Sequence, residues 1–335
     1  MRWMPTEAGP VAVISGALTG GDVRGAWKAR WGIGRMSYIV PPGLYAIGEP
    51  DHGSPVVVTA NYKMSYDLVR RALAARDVWL LVLETFGINV WCAAGKGTFG
   101  TGELVRRIET SGLSRVVSHR RLILPIMGAA GVKAVEVKKR SGFEVLFATL
   151  RIEDLPACLD NGMQAARGMR ELTFTPRERL VLTPIEFIGG MKSLLYAGLP
   201  LALLAGFSGG SFSLTRVLAA LVLYTLAIIS GTFLSPLLLP LLPGRMFAVK
   251  GALAGCVCSL ACAAIMGGYA AVGRADLAAM VLVMSAVSAF YALNFTGSTP
   301  FTSPSGVRHE MKYALPAMAA AAILGIALQI GAVLS

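Results

Sequence analysis

One thiol in this sequence stands where chemistry is expected. Residues 89–100 read Asn-Val-Trp-Cys-Ala-Ala-Gly-Lys-Gly-Thr-Phe-Gly, so Cys92 follows an aromatic residue and opens a run of small ones. Small residues at Ala93 and Gly95 would let a flat, bulky ligand approach the backbone. If residues 93–96 form a helical turn, Lys96 lies one turn beyond the thiol, a charge that favours the thiolate. The same pattern also suits an inert, buried thiol, and spacing alone leaves both readings open. Gly95, Gly97 and Gly100 spell a literal GxGxxG, which makes a nicotinamide dinucleotide site a rival. The acid expected about 20 residues on is missing, however, with Arg120 and Arg121 near that place. A phosphate-cradling Walker loop is excluded, because Lys96 is followed by Gly97 rather than Ser or Thr.

The elements around Cys92 follow from hydrophobic pattern. Residues 56–59 are a short β-branched run, and 65–76 place apolar residues at helical spacing. Residues 78–84 (VWLLVLE) form a strand apolar enough to be buried on both faces. Helices are expected over 102–110 and 131–139, then a strand over 143–148. Strands alternating with helices imply a parallel sheet covered on both faces, with ligands beyond the carboxyl ends of the strands. Two loops leave those ends, 59–63 and 85–99, and the second holds Cys92. Residues 1–50 are expected to be an irregular arm packed on this domain. A membrane-surface contact through Trp3, Trp27 and Trp31 is the other reading of that arm.

Composition splits the chain. Of its 335 residues 55% are apolar and 15% charged, too few charges for an ordinary globular protein. Beyond Phe187 only seven Lys/Arg and two acids remain, which leaves the first 186 residues with a net charge near +7. Five apolar stretches follow, at 187–207, 214–234, 246–272, 277–295 and 313–334, each near the ~20 residues that cross a bilayer as a helix. Gly251 and Gly255 form a GxxxG suited to close helix packing. The expected divisions are an arm (1–50), a soluble domain (51–175), a linker (176–186) and a transmembrane domain (187–335). With the N-terminus inside, Arg177, Arg179, Lys192, Arg245, Lys250, Arg308 and Lys312 all fall on the cytoplasmic side, against Arg216 and Arg274 outside. Residues 1–14 are interrupted by Pro5, Glu7 and Pro10, so no signal peptide is expected. The expectation is a multi-pass protein of the cytoplasmic membrane with its soluble domain in the cytoplasm. The lipid bilayer is thus a partner, and nucleic acid is not. Cys92, Cys158, Cys256, Cys258 and Cys262 show no zinc-type spacing.

The octapeptide at 89–96 resembles the signature of the mercury-methylating corrinoid proteins, the HgcA family. Residues 56–63 (VVVTANYK), 119–132 (HRRLILPIMGAAGV) and 136–139 (EVKK) resemble the corrinoid domain of the corrinoid iron–sulfur protein of acetyl-CoA synthesis. Five spans after such a domain fit the mercury family rather than the acetyl-CoA one, and the resemblance covers roughly residues 40–335. The implied fold is an α/β, Rossmann-like corrinoid-binding domain followed by an all-α transmembrane domain of five helices. The implied cofactor is a base-off cobalamin with Cys92 as the lower cobalt ligand. Thr59, Asn61 and Tyr62 would then contact the corrin edge or nucleotide tail. Asn89, Val90, Trp91, Ala93, Gly95, Lys96 and Thr98 would frame the cysteine face. Gly128 and Gly131 would let backbone approach the tail, and His119 would hydrogen-bond the cofactor or serve the fold.

The implied activity is methylation of inorganic Hg(II) to methylmercury, which needs a methyl carbanion equivalent or a methyl radical. A methyl group that leaves as a carbanion equivalent leaves Co(III), which a trans thiolate stabilises, so a cysteine ligand suits transfer to a soft electrophilic metal. Two electrons must then return, and the chain has no cysteine spacing for an iron–sulfur cluster. The resemblance implies a two-cluster ferredoxin-like partner of the HgcB type as reductant and candidate Hg(II) donor, and a methyltetrahydrofolate methyltransferase as methyl source. A membrane-tethered methyl carrier of one-carbon metabolism, or a transporter with a ligand-sensing domain, are the other readings. Cys256, Cys258 and Cys262 share one span and read as a mercury relay or as small apolar fillers.

Overall fold

A computed structural model describes residues 2–208, 211–266, 273–299 and 302–334. The chain divides into two compact units, Met1–Ala29 with Ile33–Thr173, and Arg30–Gly32 with Phe174–Ser335.

The first unit is built on a seven-stranded sheet. Its strands are β1 (Arg2–Met4), β2 (Val11–Ile14), β3 (Gly43–Ile47), β4 (Val56–Ala60), β5 (Val78–Leu83), β6 (Arg121–Leu124) and β7 (Glu144–Phe147). Their order is β1-β2-β3-β5-β4-β6-β7. The last four are parallel, as the alternating pattern implies, but β3 runs antiparallel to β5, and β1 antiparallel to β2. The sheet is therefore mixed. Residues 1–50 supply three of its strands, whereas an irregular arm was expected; runs of three to five residues between turn signals carry too little periodicity to announce themselves.

Side chains of the parallel strands alternate between two cores. Val56, Val58, Leu81 and Leu83 face one side, which is closed by α3 (Val90–Lys96), α4 (Thr101–Thr110), α5 (Leu113–Val116) and α6 (Ala134–Ser141). Val57, Leu80 and Val82 face the other, closed by α2 (Lys63–Ala72) and α7 (Leu155–Asp160). A further helix, α1 (Gly20–Arg30), lies between β2 and β3 in sequence. The strand order places β4 between β5 and β6, so the chain steps from β4 to β5 on one side and then crosses back over β4 to β6 on the other. That reversal opens a crevice at the carboxyl ends, where open α/β sheets bind ligands.

Among the described residues the second unit holds five helices long and apolar enough to cross a membrane: Pro176–Ala205, Leu214–Leu238, Phe247–Ile265, Arg274–Gly297 and Ser305–Gly331. The first begins at Pro176 because Thr175 and Glu178 form a capping box, so residues 176–186 are helical where a linker was expected. Residues 267–272, the end of the expected third stretch, lie outside the described residues. Pro200 and Pro236 each lack the amide that would close the helix four residues back, and each follows a π-helical turn, Leu194–Gly198 and Ser230–Leu234. A Cβ on Gly251 would lie 2.7 Å from the Ala289 Cα, and one on Gly255 2.7 Å from the Met284 carbonyl oxygen. The GxxxG of the third span thus packs backbone-close on the fourth.

Candidate functional site

The loops that leave β4 and β5 are locked together by one side chain. Asn61 is fully buried. Its Oδ1 accepts from the Thr85 amide (3.0 Å), the Thr85 hydroxyl (2.9 Å) and the Gly87 amide (3.2 Å), while its Nδ2 donates to Glu84 Oε1 (2.6 Å). Glu84 in turn donates its amide to Glu103 Oε1 at 2.9 Å. Burial pushes the Glu103 carboxyl up, but the Glu84 amide and the Arg107 and Arg106 guanidiniums outweigh it and hold the group below its usual range. Asn61 is therefore spent on the scaffold. Tyr62 is likewise committed: it is buried, edge-on to Tyr38 at 6.5 Å, with the Arg35 guanidinium over its ring at 5.3 Å.

Past this lock the chain turns through Phe86, an exposed residue in the left-handed region (φ 56°), and enters α3. Asn89 caps that helix, its Oδ1 accepting the Cys92 amide at 2.9 Å. Cys92 is half-buried and in no disulfide. One turn on, Gly95, Lys96 and Gly97 are exposed, and a Cβ on Gly95 would meet nothing within 4 Å. Thr98 closes the helix by donating its amide to the Ala93 carbonyl at 2.9 Å. Ala93 itself is fully buried among the core residues, so it serves packing and not an open ligand face.

A cavity of about 270 Å³ opens beside α3 at the strand reversal. Of the residues expected to contact the cofactor, Thr59, Asn89, Val90 and Trp91 line it, and Cys92 does not. Ser65, Met127, Thr149 and Arg151 also line it, and these were missed. Thr149 and Arg151 follow the expected strand at 143–148, so their place at the same sheet end was available from topology. Gly128 and Gly131 do not face the cavity by their missing side chains. A Cβ on Gly128 would strike the Phe99 ring at 2.6 Å, and one on Gly131 the Phe99 carbonyl oxygen at 2.1 Å. They let the loop after β6 close on the end of α3. His119 lies at the amino end of β6, opposite to Cys92. Its Nε2 is 2.9 Å from the Ser54 carbonyl and its Nδ1 accepts the Arg121 amide at 3.2 Å, a role in the fold.

None of the remaining cysteines lines this cavity. Cys158 is fully buried, which pushes its thiol up against the opposing pull of Arg170. Cys256, Cys258 and Cys262 lie on the third span, and among the described residues no group of three His, Cys, Asp or Glu is placed to hold a metal ion.

The half-exposed thiol, its cap and all of the cavity lining except Ile152 and Leu155 fall within the segment that known proteins share. Residues 35–151 match the family of the CO dehydrogenase/acetyl-CoA synthase delta subunit. Curated relatives include the acetyl-CoA decarbonylase/synthase complex subunit gamma of Methanopyrus kandleri, 39% identical over 124 residues, and that of Archaeoglobus fulgidus, 34% identical over 141. These alignments cover 36% and 42% of this chain. The chain spans about a quarter of the relatives' length, 26% and 27% respectively.

Proposed function

We propose that the first unit carries a corrinoid with Cys92 as lower axial ligand, and that the protein uses it to methylate Hg(II). The observation that carries the reading is the placement of Cys92: half-exposed on a capped turn whose preceding residues Asn89, Val90 and Trp91 line a cavity, within the segment similar to acetyl-CoA decarbonylase/synthase subunits. The residues fit such a group. The face at Gly95 and Gly97 has no side chain to obstruct a flat macrocycle. With no cluster of protein ligands among the described residues, a metal at Cys92 must bring its other ligands with it, as a corrin does. When bound, a corrinoid would supply a methyl group to Hg(II) as a carbanion equivalent or a radical, and electrons would have to be returned to it from another protein.

The chain's own residues have defined tasks in this reading. Asn89 fixes the α3 turn and so the direction of the Cys92 side chain. Asn61 and Glu84 hold the preceding loop. Thr59, Val90 and Trp91 offer a mostly apolar wall to the cofactor's tail, base-off, and Lys96 stands one turn from Cys92. A two-cluster ferredoxin-like protein would return the electrons, and a methyltetrahydrofolate methyltransferase would supply the methyl group. A soluble portion with net charge near +7 favours an acidic redox partner. The cytoplasmic face of the inner membrane is the setting this implies.

Purified anaerobic protein, loaded with methylcobalamin and offered Hg(II), tests the proposal beside Cys92→Ala. Methylmercury should form with the wild type and fall to the cofactor-only background in the variant. Full retention in Cys92→Ala would overturn the role of the thiol. A second reading, a membrane-tethered methyl carrier with another acceptor, draws on the names of the relatives. Cobalt absorbance without methylmercury would favour it, and protein without cobalt absorbance would sink both.

A further inference from the structure

The outer face of α1 carries side chains that the fold does not use. Its inner face is filled. Asp22 accepts from Lys63 Nζ (2.5 Å) and Arg70 Nη2 (2.8 Å), a Cβ on Gly25 would meet the Tyr38 hydroxyl at 2.6 Å, and Ala29 is fully buried. On the opposite face Val23 and Trp27 are exposed, Trp27 by 63%. The turn beyond adds Ile33, Met36 (71% exposed) and Ile39. This inverts the usual helix, whose apolar stripe faces the core. Isolated surface apolar residues need no explanation, but five on one helix face and its following turn mark a contact surface.

Two observations identify what covers it. The surface is basic: Arg24 and Lys28 alternate with Val23 and Trp27, while the helix's sole acid, Asp22, points inward and is neutralised. Tryptophan and aliphatic side chains flanked by Arg and Lys match an anionic bilayer interface, where rings sit at headgroup depth and cations meet phosphates. The chain also brings the bilayer with it, through five helices able to span one. Tethering makes even a weak surface contact effective.

We propose that α1 and residues 33–39 form a membrane-surface contact. Trp27, Ile33 and Met36 enter the headgroup–acyl boundary of an anionic bilayer, and Arg24 and Lys28 meet lipid phosphates. This contact is independent of the methyl-transfer reading. The ion pairs of Asp22 with Lys63 and Arg70 fix α1 to α2, so the contact acts on the whole sheet domain as a rigid body.

The test uses the full chain in nanodiscs of phosphatidylcholine and phosphatidylglycerol, one copy per disc, with the wild type read against Trp27→Phe to isolate one indole. Brominated acyl chains should quench the Trp27 contribution about twofold, as expected for an indole at the headgroup–acyl boundary, and should protect it from aqueous iodide. Quenching should weaken in discs of phosphatidylcholine alone and in Arg24→Glu/Lys28→Glu. A Trp27 signal blind to brominated lipid and open to iodide would overturn the proposal. Equal quenching in neutral discs and in the charge-reversed variant would overturn its anionic component. Protection seen only when copies mix in detergent would assign the face to a second copy and overturn it too.

Discussion

Among the glycines near Cys92, sequence makes no distinction, since each reads as a place where backbone approaches something. Packing separates them. At Gly131 a Cβ would lie 2.1 Å from the Phe99 carbonyl oxygen, a collision with backbone that no rotamer relieves. Gly131→Ala should destabilise the domain by about 3 kcal/mol, the upper end for overpacking, and lower its thermal midpoint in detergent. Gly95→Ala meets nothing and should melt with the wild type, while holding corrinoid less tightly if the flat ring approaches that face. Equal cobalt retention in Gly95→Ala and the wild type would remove Gly95 from the cofactor face. Asn89→Ala strips the Cys92 amide of its acceptor, a cap worth about 1 kcal/mol, and Asn89→Asp should restore it in the same melt. What the sequence could show at this scale was the cysteine; that Asn89 caps its turn came only with the structure. Nor could the sequence show that Asn61 is consumed by Thr85 and Gly87, because those partners are set by how two strand ends meet.

Elements were legible where they were long or repetitive. The parallel strands β4 and β5 and helices α2 and α4 follow from apolar runs, but β6, four residues inside a segment read as a motif, did not stand out. The capping box at Thr175 was written in the sequence, and hydropathy drew the eye past it to residue 187. α1 shows why an amphipathic count misleads: its inward contacts are ionic. Burial pushes the Asp22 carboxyl up, yet hydrogen bonds from Lys63, Thr19 and Arg70 prevail and hold it well below the usual carboxylate range. A depressed folded pKa contributes stability above the unfolded value of about 3.9, and that stability is lost as pH falls toward the folded pKa. Lys63, raised by Asp22 and Asp67 against the opposing effect of burial, gives the converse: its contribution is present below its unfolded value and lost only as pH rises through the folded one. Acidification below about pH 4 should therefore release α1 first, seen as faster amide exchange across residues 20–30 than across β4 and β5. Asp22→Asn should flatten that acid dependence while lowering stability at neutral pH. An unchanged acid profile in the variant would show that other carboxylates govern it.

At the scale of the whole molecule, the question is whether the sheet domain needs the helices. Both cores of the first unit are assembled from its own residues: one from Val11 to Phe147, the other from Ile14 to Met169. The described helices of the second unit instead pack through small-residue contacts and buried hydroxyls. Ser288, for example, donates to the Gly251 carbonyl at 2.7 Å, and Tyr291 to Ser193 Oγ at 2.6 Å. These are contacts of a kind that helices make in lipid. A chain cut after Thr173 is therefore expected to be a folded protein, with cooperative melting and with cobalt absorbance that depends on Cys92 after reconstitution with corrinoid. By the surface-contact argument it should also bind vesicles containing phosphatidylglycerol, and Arg24→Glu/Lys28→Glu should release it. Aggregation of the fragment without a melting transition would show that the sheet depends on the helical unit. Folding with no vesicle binding would leave the cofactor reading intact and count against the membrane contact alone.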